Sequence, residues 1–487
     1  MSISMSRLIA YVLAIVGTAL LAPFLMSLAC GEQRATIAFV VPMSVSWLVA
    51  FAFWMHRHKE TRQMGISAAF TLVGGVWVAI SLFGAVPFCL CGNFPGIADA
   101  VFESVSGFTT TGASVISNVE ALPKSVNLWR CMTHWLGGMG VIALAVAIMP
   151  LLGIGGFRLF KAETTGPDKG KVASRISTNA KVLWAIYLGM TLVQAVLLRM
   201  SGMDWFDAAC HSFSTVGTGG FSTRNASVGA FGNVAAEWIC TVFMLLASVN
   251  FALYFHLFTG KAGEMFKDSE LRTFAAIVAV ATAVVAFLTS PQHAVLSDTI
   301  RHSAFQVAAV LSTTGFMTDD YVRWVPSAQT VLLALCLIGG CSGSTCGGVK
   351  VIRWAVLWKL LCNELRRILH PREVFTMRIS GISGREIVVP AVAAFMFSYL
   401  LLTLLTAFAG AVAGLGMVES VTGALSMVGN IGPAFGELGP TSNYAFLPGA
   451  LKWWYCFAML AGRLEIYTML VFAGAAVSYL FRRRHDA

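Results

Sequence analysis

Long apolar runs punctuate the chain at Leu8–Leu28, Val182–Leu198, Phe274–Leu288 and Leu464–Leu480. Each offers about the 20 apolar residues that a helix needs to cross a bilayer. Between such runs one plan recurs four times: a full-length apolar helix, a half-length helix, a Gly/Thr/Ser-rich stretch, and another apolar helix. The half-helix and loop pieces are Phe102-Glu-Ser-Val-Ser-Gly-Phe-Thr-Thr-Thr-Gly112, the stretch from Phe206 to Gly220, Phe305-Gln-Val-Ala-Ala-Val-Leu-Ser-Thr-Thr-Gly315, and the stretch from Glu419 to Gly432. Their terminal glycines lie 108, 95 and 117 residues apart, room for two membrane helices per repeat. Glu103, Asp207, Gln306 and Glu419 are expected at the starts of the half-helices, where an acceptor suits free backbone N–H groups. A further hairpin, about residues 7–56, precedes the repeats. The expected divisions are 1–66 for that hairpin, then repeats at 67–165, 166–265, 266–375 and 376–487. The first apolar segment lacks a cleavage signature and reads as a retained membrane helix.

Composition agrees with this pattern. The 487 residues are 57% hydrophobic and 11% charged, against about 25% charged in soluble domains. A soluble enzyme, a disordered tail and a secreted disulfide scaffold are excluded. The net charge of +10 is a matter of topology. Of the 33 Lys and Arg residues, 24 fall at Arg7 and in alternate connections: 57–62, 158–181, 261–272, 350–385 and 482–484. That asymmetry places both termini in the cytoplasm and argues against nucleic acid as a partner. The eleven cysteines are scattered, mostly in apolar segments, and read as structural thiols.

A half-length helix cannot span a bilayer, and irregular backbone at membrane depth is tolerated only inside protein or along a water-filled cavity. Four such loops suggest one cavity ringed by four copies of the same device. They contain no carboxylate and no base. What they offer is backbone carbonyls and hydroxyls, which suit a dehydrated monovalent cation, with the negative ends of the half-helix dipoles favouring positive charge.

With these loops stand His-Trp-Leu-Gly-Gly-Met-Gly (134–140), His-Ser-Phe-Ser-Thr-x-x-x-Gly-Gly-Phe-Ser-Thr (211–223), Gly-Gly-Cys-Ser-Gly-Ser-Thr-Cys-Gly-Gly-Val-Lys-Val-Ile-Arg (339–353), Gly-Asn-Ile-Gly-Pro (429–433) and Gly-Arg-Leu-Glu (462–465). Over essentially its whole length the sequence resembles the membrane subunit of the bacterial Trk/Ktr potassium-uptake family, of the TrkH and TrkG type. The resemblance implies an all-α polytopic membrane protein with four helix–pore half-helix–helix repeats around a pseudo-fourfold pore, plus the N-terminal two-helix hairpin. It implies a selectivity filter at Thr110, Thr111 and Gly112; Thr218, Gly219 and Gly220; Thr313, Thr314 and Gly315; and Asn430, Ile431 and Gly432. Potassium itself would be held at Thr110, Thr111, Thr218, Gly219, Thr313, Thr314, Asn430 and Ile431. Four terminal glycines imply a preference for potassium. Because the second loop carries Thr-Gly and the fourth Asn-Ile, the ring is expected to be only approximately fourfold. The implied activity is gated potassium uptake across the cytoplasmic membrane, by symport or passive flux. The alternative is a sodium/potassium co-transporting or non-selective member of the same family. Implied partners are a second copy of the chain and a cytoplasmic ring of nucleotide-binding, RCK-type regulatory subunits. No cofactor is implied in this chain.

Two further features admit two readings each. Gly339, Gly340, Gly343, Gly347 and Gly348 fall in ten residues, within what should be a membrane helix from Val331 to Leu361. Such density does not hold a helix, since each glycine costs about 0.8–1 kcal/mol relative to Ala. The stretch is either an extramembrane loop or, as the resemblance implies, an intramembrane gate, with Lys350 at its end a second barrier or a boundary marker. Arg463 lies in an apolar run from Trp453 to Phe481. It either pairs with a carboxylate such as Glu465 or Glu419, or forms the electrostatic barrier below the filter that the resemblance implies.

Other functional classes fare worse. Gly340-Cys-Ser342-Gly343 fits the nucleophile pattern of rhomboid-type proteases, but the later histidines, His370 and His485, lie among cytoplasmic basic residues. Phosphate-binding signatures are missing, so the chain is not expected to bind or hydrolyse nucleotide. A receptor without transport is the bland alternative, separable by flux in liposomes.

Overall fold

The computed structural model describes residues 3–55, 66–151, 169–258, 262–370, 378–379, 382–383 and 388–475. The basic residues Arg57, Lys59, Arg62, Arg158, Lys161, Arg372, Arg385 and Arg482–Arg484, and the expected boundaries at 165/166 and 375/376, lie outside them. Among the described residues the regular structure is helical, apart from an antiparallel pair of two-residue strands, Arg378–Ile379 and Ile382–Ser383.

Among the described residues six stretches are long and apolar enough to cross a membrane: Met5–Ala29, Gln33–Met55, Ala68–Cys91, Val182–Met200, Ser269–Gln292 and Val389–Val412. Large apolar side chains on them, such as Leu48, Phe287, Leu404 and Phe408, are exposed, as a lipid-facing surface requires. The first span joins α1 (Ile3–Ala19) to α2 (Leu21–Ala29) and pairs with α3 (Gln33–Met55). This hairpin packs on α4 (Ile66–Cys91) and α6 (Lys124–Leu151). Glu32, between α2 and α3, accepts the backbone N–H of Lys124 at 2.8 Å and so caps α6.

Each repeat opens with a long helix: α4, α7 (Lys169–Met200), α12 (Ser269–Thr289) or α16 (Val388–Val412). Each long helix packs against the half-helix that follows it: α5 (Ile97–Phe108), α8 (Trp205–Val216), α13 (Leu296–Leu311) or α17 (Met417–Gly429). The half-helices run to 12, 12, 16 and 13 residues and are buried along most of their length. Inside protein, their free carbonyl ends are tolerated at membrane depth.

The second helices are α6, α9 (Val234–Ala247), α14 (Pro326–Leu335) and α18 (Gly449–Arg463). Helix α6 packs on half-helices α5 and α8, α9 packs on α8 and α13, and α18 packs on α17 and α5. The last pairing joins the fourth repeat back to the first. Glycine allows the closest approaches: a β-carbon at Gly137 would overlap the carbonyl oxygen of Phe108, and one at Gly462 that of Val428.

Three of the second helices are broken. Helix α9 ends at Ala247, and α10 (Phe251–Phe258) leaves at 97° to it. The expected helix from Val331 to Leu361 is interrupted over residues 336–350, with α15 (Val351–Leu369) resuming beyond. Helix α18 does not run on unbroken into the apolar stretch that begins at Leu464. The backbone turns at Glu465 and Ile466, with φ of 55° and 58°, before a helical segment over 467–475.

One expectation fails in register. Asp207 and Glu419 do lie in the first turns of α8 and α17. Glu103 and Gln306 lie well inside α5 and α13 and are fully buried. Counted back from the left-handed residue that follows each half-helix (Thr110, Thr218, Thr313 and Asn430), the residues matching Asp207 are Asp99, His302 and Glu419, while Glu103 matches His211 and Gln306. Phe102-Glu103 and Phe206-Asp207 are alike in sequence but lie one helical turn apart in register.

Candidate functional site

The four half-helices end in loops of one conformation. Thr110, Thr218, Thr313 and Asn430 adopt the left-handed region at φ of 54°, 54°, 53° and 54°. Two residues on, Gly112, Gly220, Gly315 and Gly432 have φ of 81°, 85°, 73° and 98°. The residue between them donates its N–H five residues back into the half-helix: Thr111 to Ser106 at 2.8 Å, Gly219 to Ser214 at 2.8 Å, Thr314 to Ala309 at 2.9 Å and Ile431 to Ser426 at 2.9 Å. These bonds satisfy carbonyls that a helix end otherwise leaves free. Backbone geometry is thus closely fourfold although the side chains differ.

The loops also meet in cyclic order. A β-carbon on Gly112 would overlap the carbonyl oxygen of Gly219; on Gly220, that of Thr314; on Gly315, that of Ile431; and on Gly432, that of Thr111. All twelve residues named from the sequence therefore belong to one closed ring. Its threonine and asparagine side chains are buried, and Thr110 Oγ1 and Asn430 Oδ1 have no hydrogen-bond partner among the described residues. Above the terminal glycines lies a cavity of about 110 Å³, bordered by all four of them and by Ser114, Ser222, Asn225 and Tyr444.

A brace holds the ring from behind. Glu103 and Arg130, both fully buried, pair at 2.7 Å. Glu103 also accepts the N–H of Val115 at 3.0 Å, and Arg130 reaches the Ser222 carbonyl at 3.3 Å. One ion pair thus fixes the chain just beyond both the first and the second loop. In the equivalent places, His211 bonds Ser222 Oγ at 2.9 Å and Gln306 donates to the Asp319 carbonyl at 3.2 Å.

On the opposite side from the cavity, the glycine-rich stretch packs against the ring. Gly347 donates its N–H to Thr313 Oγ1 at 2.8 Å, and Thr345 Oγ1 donates to the Val216 carbonyl at 3.1 Å. Gly347 also sits against the carbonyl of Gly429 and the side chain of Asn430, where a β-carbon would not fit. The stretch therefore touches the ends of three half-helices and is packed inside the protein. Its N-terminal part is tied to the break in the second repeat, with Cys341 N–H donating to the Ser248 carbonyl at 2.9 Å and Phe251 N–H to that of Gly343 at 3.1 Å. Gly339 N–H closes the base of the loop on the Val349 carbonyl at 2.8 Å. Lys350 Nζ donates to the Cys346 carbonyl, within the loop itself.

Arg463 is buried and pairs with neither Glu465 nor Glu419. It donates to the Thr345 carbonyl at 2.7 Å and to the Gly137 carbonyl at 3.3 Å. Glu465 goes to Arg353 instead, at 2.7 Å. Arg463 thereby ties the glycine loop to α6 of the first repeat.

Two residues are given no role by the sequence. Glu270, in the first turn of α12, accepts the N–H groups of Ser342 at 2.7 Å and Ile352 at 3.1 Å, pinning both sides of the glycine loop. His134, from α6, packs against Gly219. Neither lies near its partner in sequence.

Fold and ring together define a multi-pass helical membrane protein whose four half-helices converge on a single carbonyl-rich ring. Residues 33–478 match the family model described as TrkH, cation transport protein. The chain is 36% identical to the Trk system potassium uptake protein TrkH of Halomonas elongata, over 96% of this chain and 97% of that one. It is 32% identical to the Trk system potassium uptake protein TrkG of Escherichia coli, over 90% and 91%. The crystal structure of the potassium transporter TrkH from Vibrio parahaemolyticus superimposes with a TM-score of 0.86, at 34% identity, over 96% of this chain and 98% of that one. The chain belongs to the TrkH family of cation transport proteins, which are transporters and not enzymes.

Proposed function

We propose that the chain carries potassium ions into the bacterial cell across the cytoplasmic membrane, through a channel-like pathway whose filter is the ring of four loops. The single observation that carries this reading is the cyclic closure of four left-handed Thr or Asn residues, each followed two positions on by a left-handed glycine. That conformation turns successive carbonyls to the same side, and the converging half-helix ends add negative potential where a dehydrated cation needs it. The unpartnered Thr110 Oγ1 suits the same role. The uptake of potassium by the named relatives supports the choice of ion.

The glycine loop with Lys350 and Arg463 is the gate of this reading. It lies on the inner side of the ring, and the Arg463 guanidinium opposes cations in a site of low dielectric. The family resemblance adds a homodimer docked on a cytoplasmic ring of nucleotide-binding regulatory subunits, near Arg366 and Arg367, with both termini on that side. No cofactor enters the reading, and potassium is the cargo.

The test is competitive potassium and sodium flux in liposomes with wild type and Gly112→Ser. The serine side chain runs into the Gly219 carbonyl of the neighbouring loop, and a β-carbon at positive φ adds roughly 1–2 kcal/mol of strain. The variant is expected to insert and conduct with weaker preference for potassium. A Gly112→Ser protein with wild-type selectivity removes the filter assignment. Equal wild-type flux of both ions establishes the non-selective alternative.

A further inference from the structure

The second loop lacks a side chain where the other three have one. Between the left-handed residue and the terminal glycine stand Thr111, Thr314 and Ile431, but Gly219 in the second loop. In the first loop, Thr111 Oγ1 lies 2.8 Å from Thr109 Oγ1 and accepts from Asn430 Nδ2 at 2.9 Å. In the third, Thr314 Oγ1 lies 2.6 Å from Ser312 Oγ. In the fourth, Ile431 is buried in an apolar cluster with Phe435 and Cys341. Each of these side chains anchors its loop to the surrounding protein. With Gly217, Gly219 and Gly220 around a single threonine, the second loop should be the least restrained of the four.

Its backbone nevertheless matches the others, and the space beside Gly219 is filled. A β-carbon on Gly219 would fall within the imidazole of His134, against Cγ and Nδ1. This ring is fully buried and stacks on Phe221, with centroids 4.1 Å apart and planes 22° from parallel. The Phe221 N–H donates to His134 Nδ1 at 3.3 Å, so that nitrogen is an acceptor and the neutral ring carries its proton on Nε2. Ser214 Oγ lies 3.3 Å from the same nitrogen. His134 therefore touches the half-helix before the loop, the chain after it, and the loop itself.

Resting on the filter assignment above, we infer that His134 supplies from α6 the side chain that Gly219 lacks, and is a positioning residue for ion selectivity. The Gly219 carbonyl abuts Gly112 of the first loop, so a shift at Gly219 passes directly into the ring. Discrimination between cations depends on the number and field strength of the carbonyls presented, so a loosened loop loses preference before it loses conduction.

The experiment measures the potassium-to-sodium flux ratio in liposomes for His134→Ala, His134→Phe, Gly219→Thr, the double variant His134→Ala/Gly219→Thr, and Gly112→Ser as reference. His134→Ala should lower the ratio about tenfold, equivalent to roughly 1.4 kcal/mol of differential binding. His134→Phe keeps the ring and loses the acceptor, and should fall between His134→Ala and wild type. Gly219→Thr alone should lose flux, because its side chain meets the imidazole. The double variant, with a threonine in the vacated space, should recover the flux lost in Gly219→Thr and a ratio closer to wild type than His134→Ala. A conducting His134→Ala protein with the wild-type ratio overturns the inference. So does a double variant that recovers neither folding nor selectivity beyond the sum of the single changes. If Gly112→Ser lowers the ratio and the His134 series does not, this inference alone fails. If Gly112→Ser is also silent, the filter assignment fails with it.

Discussion

At the scale of single residues, the ring depends on charges placed behind it. Glu103 and Arg130 are both fully buried, and between them they hold Ser114, Val115 and Ser222 in the stretches that leave the first two loops. The guanidinium also lies 4.3 Å from the ring centroid of Phe221, the residue that His134 stacks against. Removing one member of such a pair leaves the other charge buried and uncompensated, at a cost of about 3–5 kcal/mol. Arg130→Ala is therefore expected to lower the thermal unfolding midpoint in detergent far more than Arg367→Ala. Arg367 lies 4.0 Å from Glu364, and both of those side chains are exposed. Equal shifts for the two variants would show that the buried pair contributes no more than a surface one. The repeats use different chemistry at matching positions, Glu103, His211 and Gln306, for the same purpose of fastening the chain after the loop.

At the scale of elements, the decisive feature is the stretch of fifteen residues between α14 and α15. Its glycines allow it to press against Thr313, Gly429 and the end of α8, and its backbone polar groups find partners in three different repeats. Glu270 is the contact from outside the loop that holds both of its sides. Glu270→Ala leaves two backbone N–H groups without an acceptor, at about 1–3 kcal/mol each if they stay buried. The loop should then leave its closed position more often. Basal potassium flux is expected to rise with the potassium-to-sodium ratio unchanged, because Glu270 does not touch the ring. Unchanged flux would separate Glu270 from gating, and a changed ratio would place its effect in the filter. Glycine density announced this loop in the sequence, and four Gly-terminated loops announced the ring. Glu270 gave no such signal, because its partner Ser342 is 72 residues away and a Glu in a first helical turn is ordinary. The break after Arg463 was equally hidden. Leu464 to Leu480 is apolar without proline, yet Glu465 and Ile466 turn left-handed where Arg463 and Glu465 reach the Thr345 carbonyl and Arg353.

At the scale of the whole molecule, the ring has two sides, and one packing contact ties the N-terminal hairpin to one of them. The cavity above the terminal glycines opens on one side of the ring, and the glycine loop closes the other. Helix α6 starts on the cavity side, and Glu32 at the tip of the N-terminal hairpin caps that start. Cys30, exposed at the same tip, must therefore lie on the cavity face. Cys362 sits in α15, beyond the glycine loop on the opposite face, four residues before Arg366 and Arg367. In the proposed orientation that face is the cytoplasmic one, where Lys and Arg are retained. A membrane-impermeant thiol reagent should label Cys30, and not Cys362, in spheroplasts, and Cys362, and not Cys30, in inverted vesicles. A Cys89→Ser background removes the other exposed thiol, and Cys30→Ser and Cys362→Ser identify the labelled positions. Labelling of Cys362 from outside would reverse the orientation, put the glycine loop on the entry side of the ring, and turn the proposed gate into an external plug. Labelling of both thiols from one side would mean that the tip of the hairpin and α15 share a face, which the Glu32 cap on α6 does not allow.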